Sequence, residues 1–152
     1  VNPTKPKLLA ISSPGGHWIQ LTRLCAKLEA RYDIVYAMPD ALFKPQQQQR
    51  VYSITDVSAD DKWRLIPCAW QILRILLRER PQAIISTGAA PGAIAIWLGS
   101  LLKIHTIWVD SIANVKQISR AGRLAQKRAA VFLTQWEHLS NGTSIQYQGA
   151  VL

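Results

Sequence analysis

The sequence predicts an α/β protein with a Rossmann-like, mostly parallel sheet and helices on both faces. Three observations predict it: short apolar runs alternate with stretches of helical periodicity, small turn residues follow the runs, and the first run ends in Ser-Ser-Pro-Gly-Gly-His. Strands alternating with helices assemble as right-handed βαβ units. In such sheets ligands bind beyond the carboxyl ends of the strands. The 152 residues, 49% hydrophobic and 18% charged, suit one globular domain spanning 1–152.

Residues 7–12 (KLLAIS) read as a buried strand entering a turn. After His17, the positions of Leu21, Leu24, Cys25 and Leu28 recur at helical spacing, with Arg23, Lys27 and Arg31 on the polar side. Residues 33–38 form the second expected strand. Residues 39–61 lack periodicity and read as a long loop, with a short strand at 51–54. An amphipathic helix is expected over 67–80, its stripe made of Trp70, Leu73, Leu76 and Leu77. Then follow a strand at 83–86, a helix at 91–103, a strand at 106–109, a basic helix at 119–128 and a strand at 130–134. Residues 147–152 end the chain as a short strand or a tail.

Eighteen Lys and Arg against nine Asp and Glu leave a net charge of +9. That field favours a polyanionic partner: nucleic acid, a phosphorylated small molecule or an anionic membrane surface. Cys25 and Cys68 have no metal spacing around them and read as buried reduced thiols, and no metal site is expected. Residues 1–7 are polar and proline-bearing, unlike a secretory signal. Residues 81–102 carry no charge, yet their middle, STGAAPG, is a turn composition unsuited to lipid. A strand, a turn and a buried helix explain them better than a membrane span.

Four loops and one basic stretch are the candidate site. In the first loop, Ser13, Gly15 and Gly16 offer backbone amides to an anion at a helix N-terminus. His17 there is either a general base or proton donor, or a residue needed only for the turn. The second loop, with Thr87 and Gly88, leaves room for a ligand or for close packing. The third places Asp110 and Asn114 after a buried strand, as ligand groups or as turn and cap residues. In the fourth, Gln135, Trp136, Glu137 and His138 form a pocket lip, a docking surface or a solvated turn. Lys116, Arg120 and Arg123 lie in a run without acids, and Arg74 and Arg78 accompany Trp63 and Trp70. Such mixtures suit a membrane interface or a protein surface. Neither a dinucleotide fingerprint nor a Walker lysine motif is present.

Taken together, SSPGGH, ISTGAAPGAIAIWLG, IWVDSIANV, SRAGRLA, QWEHL and GAVL span nearly the whole chain in one order. In these stretches the sequence resembles the PssD-type bacterial exopolysaccharide subunits and the Alg-fourteen-type membrane subunit of the dolichol-linked GlcNAc transferase. The resemblance implies the acceptor-side, N-terminal half of a GT-B glycosyltransferase, similar to MurG cut between its halves. It implies that the chain binds no cofactor alone and is inactive alone. The UDP-sugar would belong to a small catalytic partner of the PssE or Alg-thirteen type. The acceptor would be a polyprenyl-linked sugar pyrophosphate at the cytoplasmic membrane face, with the isolated chain cytoplasmic.

By that carry-over, Gly15, Gly16 and His17 would face the pyrophosphate or acceptor hydroxyl, and Gly149, Val151 and Leu152 would lie where a one-chain enzyme continues. Pro14 departs from the small polar residue more usual in these proteins. The eukaryotic type's membrane anchor is not in this sequence, so attachment is expected to be peripheral or to come from residues outside it. Two other readings are a stand-alone nucleotide-binding α/β protein and a basic nucleic-acid-binding module. Neither shows its motif, and nucleic acid is the less expected partner.

Overall fold

The computed structural model describes residues 4–39, 49–57 and 60–151. In chain order the elements are β1 (Lys7–Ile11), α1 (Gly16–Ala26), β2 (Asp33–Pro39), β3 (Arg50–Ile54), α2 (Leu65–Glu79) and β4 (Ala83–Ser86). They continue with α3 (Ala89–Leu101), β5 (His105–Val109), α4 (Arg120–Gln126), β6 (Val131–Thr134) and β7 (Gln146–Tyr147). Single 3-10 turns precede α2 at Lys62–Arg64 and follow β6 at Glu137–Leu139. All strand pairs are parallel, in the order β3-β2-β1-β4-β5-β6-β7. The expected α/β fold is therefore the observed one.

Alternation along β1 sorts its side chains to two cores. Leu8 and Ala10 pack with Leu21, Cys25 and Tyr36 beneath α1. Leu9 and Ile11 pack with Ile72, Ile96, Trp108 and Phe132, on the face covered by α2, α3 and α4. Trp108 and Phe132 stack with ring centroids 6.3 Å apart. Both cysteines are free and buried. Burial pushes the Cys25 thiol up to about 12 and the Cys68 thiol to about 11, so neither is a ready nucleophile.

Two expectations are corrected. The buried stripe of α2 is Cys68, Ile72, Ile75, Leu76 and Glu79, while Trp70 is 61% and Leu77 56% exposed. Apolar residues occupy most of this helix's circumference, so periodicity alone chose the wrong edge. The helix at 91–103 begins earlier, at Ala89, because Gly88 (φ 147°) turns the chain directly off β4. Of the long loop expected over 39–61, residues 40–48 and 58–59 lie outside the described residues, as does Leu152. Among the described residues no helix is long and apolar enough to cross a membrane. Residues 81–102 form β4, a turn and α3 instead.

Candidate functional site

The chain winds outward in opposite directions from the middle of the sheet: β1 leads to β2 and β3 on one side, and β4 leads to β5, β6 and β7 on the other. The reversal lies between β1 and β4: α1 packs on one face of the sheet and α3 on the other, the arrangement that opens a crevice beyond the strand ends in such sheets. The SSPGGH loop and the STG loop meet there. Gly15 takes φ 83° and starts α1; Gly88 takes φ 147° and starts α3. Neither helix has a side-chain cap or an acidic residue in its first turn. Two helix N-termini with positive dipole ends thus open beside one another.

His17 joins the two loops. Its Nδ1 lies 3.0 Å from the Thr87 carbonyl oxygen, and the Thr87 hydroxyl donates to the His17 carbonyl at 2.6 Å. A carbonyl oxygen only accepts, so Nδ1 carries the hydrogen and Nε2 of the neutral ring holds the lone pair. Nε2 has no partner among the described residues. The ring rests on Gly88: a Cβ there would stand 2.3 Å from Nδ1. A Cβ on Gly15 or Gly16 would meet nothing within 4 Å, so the space before the loop is open. Ala89, next to Gly88, also holds a left-handed backbone (φ 64°), a local strain of the kind concentrated at working corners.

The site residues named from sequence divide into two groups. Ser13, Gly15, Gly16 and His17 front the crevice, with Ser13 half-buried and both glycines exposed. Thr87 and Asp110 are buried and Asn114 is half-buried, each bonded within the fold, as the turn and cap alternative allows. Thr87 is fully buried, with its hydroxyl spent on His17. Asp110 is 1% exposed. Its Oδ1 accepts from Trp108 Nε1 (3.0 Å) and the Ser119 hydroxyl (2.6 Å). Its Oδ2 accepts from the Ser119 amide and Asn114 Nδ2, each at 3.1 Å. Four donors satisfy the carboxylate inside the fold and fix the loop between β5 and α4. Gly122 leaves room for it, since a Cβ there would lie 2.6 Å from Oδ1.

The β6 corner braces the same loop. Trp136 Nε1 donates to the Ile112 carbonyl at 2.8 Å, and His138 Nε2 to the Val115 carbonyl at 2.6 Å. Trp136 is half-buried, whereas Glu137 and His138 are exposed. Gly149 is exposed and Val151 half-buried beside a groove of about 550 Å³ whose walls include Leu24, Val109 and Leu133. Arg74, Arg78, Lys116, Arg120 and Arg123 are all exposed, outside the crevice. Sequence reading placed Gln135 in the fourth loop but missed Gln20 and the buried pair the two form, 2.6 Å apart. The available signal was a glutamine one turn after His17, at an inward position of α1. Among the described residues, no group of three His, Cys, Asp or Glu could hold a metal ion.

Fold and crevice together define a Rossmann-like domain of the GT-B kind. MurG from Acinetobacter baumannii superposes with a TM-score of 0.77 at 11% identity, over 94% of this chain and 46% of that one. UDP-N-acetylglucosamine 2-epimerase from Rickettsia bellii gives 0.71 at 12% identity, over 96% and 45%. A shorter match, 43% identical over 47 residues, is to the UDP-N-acetylglucosamine–N-acetylmuramyl-(pentapeptide) pyrophosphoryl-undecaprenol N-acetylglucosamine transferase of Nitrosomonas europaea. It covers 28% of this chain and 13% of that enzyme. The chain thus spans about half the length of these structures and a smaller part of the enzyme matched by sequence.

The family described as "Oligosaccharide biosynthesis protein Alg14 like" matches residues 62–151, more than half of the sequence. The chain belongs to this glycosyltransferase-related family.

Proposed function

We propose that this chain is the acceptor-binding half of a two-component glycosyltransferase in lipid-linked oligosaccharide or exopolysaccharide synthesis. The carrying observation is the convergence of two uncapped helix N-termini, α1 and α3, on one crevice with His17 between them. Such a corner suits a pyrophosphate, whose charge the dipoles and free amides favour. The Nitrosomonas europaea relative is named for a pyrophosphoryl-undecaprenol acceptor, which supports the same class here. In the proposed reaction the acceptor hydroxyl gives its proton to His17 Nε2 as its oxygen bonds to the sugar's anomeric carbon. The bond from that carbon to UDP breaks, and UDP leaves with the electron pair.

The donor UDP-sugar belongs, in this reading, to a separate small catalytic subunit of the PssE or Alg-thirteen type. The groove between α1 and residues 148–151, with apolar walls at Leu24, Val109 and Leu133, is the surface offered to it. Contact with the cytoplasmic membrane face is peripheral. Trp63 (82% exposed), Ile66 (67%) and Trp70 form an apolar edge on and before α2, among Lys62, Arg64, Arg74 and Arg78.

Reconstitution tests the proposal. The purified chain transfers no sugar alone, and co-expression with the small subunit gives transfer from UDP-sugar to a polyprenyl-pyrophosphate acceptor. His17→Ala lowers kcat of the pair by about 10²-fold without unfolding the chain. Robust turnover by the chain alone, or full activity of His17→Ala, contradicts this account.

A further inference from the structure

Two primary amides are buried beside the crevice, joined to each other by one hydrogen bond and to their surroundings by the rest. Gln20 is 7% and Gln135 4% exposed. Burying such groups is unfavourable unless their hydrogen bonds are made. Gln135 Nε2 donates to Gln20 Oε1 (2.6 Å) and to the Asp110 carbonyl (3.0 Å). Gln20 Nε2 donates to the Ser111 hydroxyl, and Gln20 Oε1 accepts from the Ile112 amide, each at 3.2 Å. Gln135 Oε1 accepts from the backbone amide of Val151 at 2.7 Å. One glutamine lies on α1, one turn beyond His17; the other lies at the end of β6.

Val151 reaches Gln135 because of a specific turn. Gly149 takes φ 103°, and a Cβ there would meet nothing, so the backbone angle alone calls for glycine. Gln148, Gly149 and Ala150 are exposed, and β7 is only two residues long. Among the described residues, the Val151 amide makes the hydrogen bond that ties residues 149–151 to the fold. If that segment shifts, a buried amide oxygen loses its donor, and its nitrogen is bonded to the helix that carries His17.

We propose that Gln20 and Gln135 are positioning residues that register the carboxyl-terminal segment, through the Val151 amide, against the His17 corner. The functional meaning rests on the acceptor-site reading above: the segment borders the groove offered to the catalytic subunit. Docking there would then be felt at the crevice through hydrogen bonds rather than through apolar packing, which tolerates sliding.

Val151→Pro tests this by deleting one N–H at a half-buried surface position, and Val151→Ala controls for the side chain. In the isolated chain, Val151→Pro should shift the Gln20 and Gln135 side-chain amide resonances and the His17 ring nitrogen resonances, with the melting temperature nearly unchanged. Val151→Ala should shift none of them. Gln135→Glu keeps the acceptor for Val151 but loses both donated bonds; it should move His17 while leaving the Val151 amide protected from hydrogen exchange. In the reconstituted pair, Val151→Pro should lower kcat about tenfold at unchanged acceptor KM.

Gln20 and His17 resonances that stay in place in Val151→Pro, or that move equally in Val151→Ala, overturn the proposal. The resonance measurement needs neither acceptor nor partner. Shifts without any sugar transfer by the wild-type pair would therefore count against the acceptor-site reading and leave the registration standing.

Discussion

Gly16 and Gly88 stand at the same corner, but the fold requires glycine only at Gly88. There the backbone angle is left-handed and the His17 ring occupies the place of a side chain. At Gly16 the angle is ordinary and a Cβ would enter open space. A methyl group in the first turn of α1 should leave stability unchanged or raise it, by up to about 1 kcal/mol. If an acceptor phosphate approaches this backbone, Gly16→Ala should raise the acceptor KM of the reconstituted pair by about tenfold or more. Gly88→Ala should instead lower both the melting temperature and kcat. Thermal melts with steady-state kinetics separate the two, and unchanged kinetics in Gly16→Ala would remove the anion from this corner. The sequence made Gly15, Gly16 and His17 readable because glycines before a helix have few uses. It left Asp110 ambiguous, because a strand-end carboxylate serves a ligand or a loop equally well until its donors are seen. Gln20 and its pairing with Gln135 were hidden because the contact joins residues 115 positions apart.

At the scale of elements, the strands were legible and the faces of the helices less so. Residues 83–86 are an apolar run followed by small residues, and β4 has those bounds. In α2 both Trp70 and Ile72 fit an apolar stripe, and only packing against β3 and α3 decides that Ile72 faces inward. The outcome leaves Trp63, Ile66 and Trp70 outside, which is the arrangement an interfacial helix uses. The α4 residues Arg120 and Arg123, one turn apart and exposed, add a second cationic element on the same face of the sheet. Charge reversal at Arg120 and Arg123 should weaken binding to anionic vesicles about tenfold or more, each arginine near such a surface contributing roughly 1 kcal/mol. Trp63→Ala with Trp70→Ala should weaken it further. Flotation run beside a nucleic-acid shift assay measures both, and unchanged flotation would remove the membrane from these helices.

For the whole molecule, the sheet order places the crevice at its centre, and a charged cluster at the opposite, amino-terminal ends of the strands ties α2 to β1 and β3. Glu79, only 8% exposed, accepts from Lys7 Nζ (2.7 Å), Arg50 Nη1 (3.3 Å) and the Tyr52 hydroxyl (2.5 Å). Burial by itself would raise its pKa. The hydrogen bonds from Lys7 and Tyr52 and the charges of Lys7 and Arg50 outweigh burial and hold the carboxyl below its ordinary value. This contribution to stability is complete above the ordinary glutamate range and is lost as pH falls through the lower folded value. The melting-temperature gap between the wild type and Glu79→Gln should therefore be widest near neutral pH and should close on acidification. A gap independent of pH would contradict this assignment.

The central claim is that this domain holds the acceptor and leaves the nucleotide-sugar to another chain. Equilibrium binding to the purified chain measures that most directly, comparing a short-chain polyprenyl-pyrophosphate sugar with UDP-sugar. The account predicts saturable binding of the polyprenyl compound that weakens in Gly16→Ala, and no tight binding of UDP-sugar. Tight UDP-sugar binding with no affinity for the pyrophosphate-linked acceptor would contradict it.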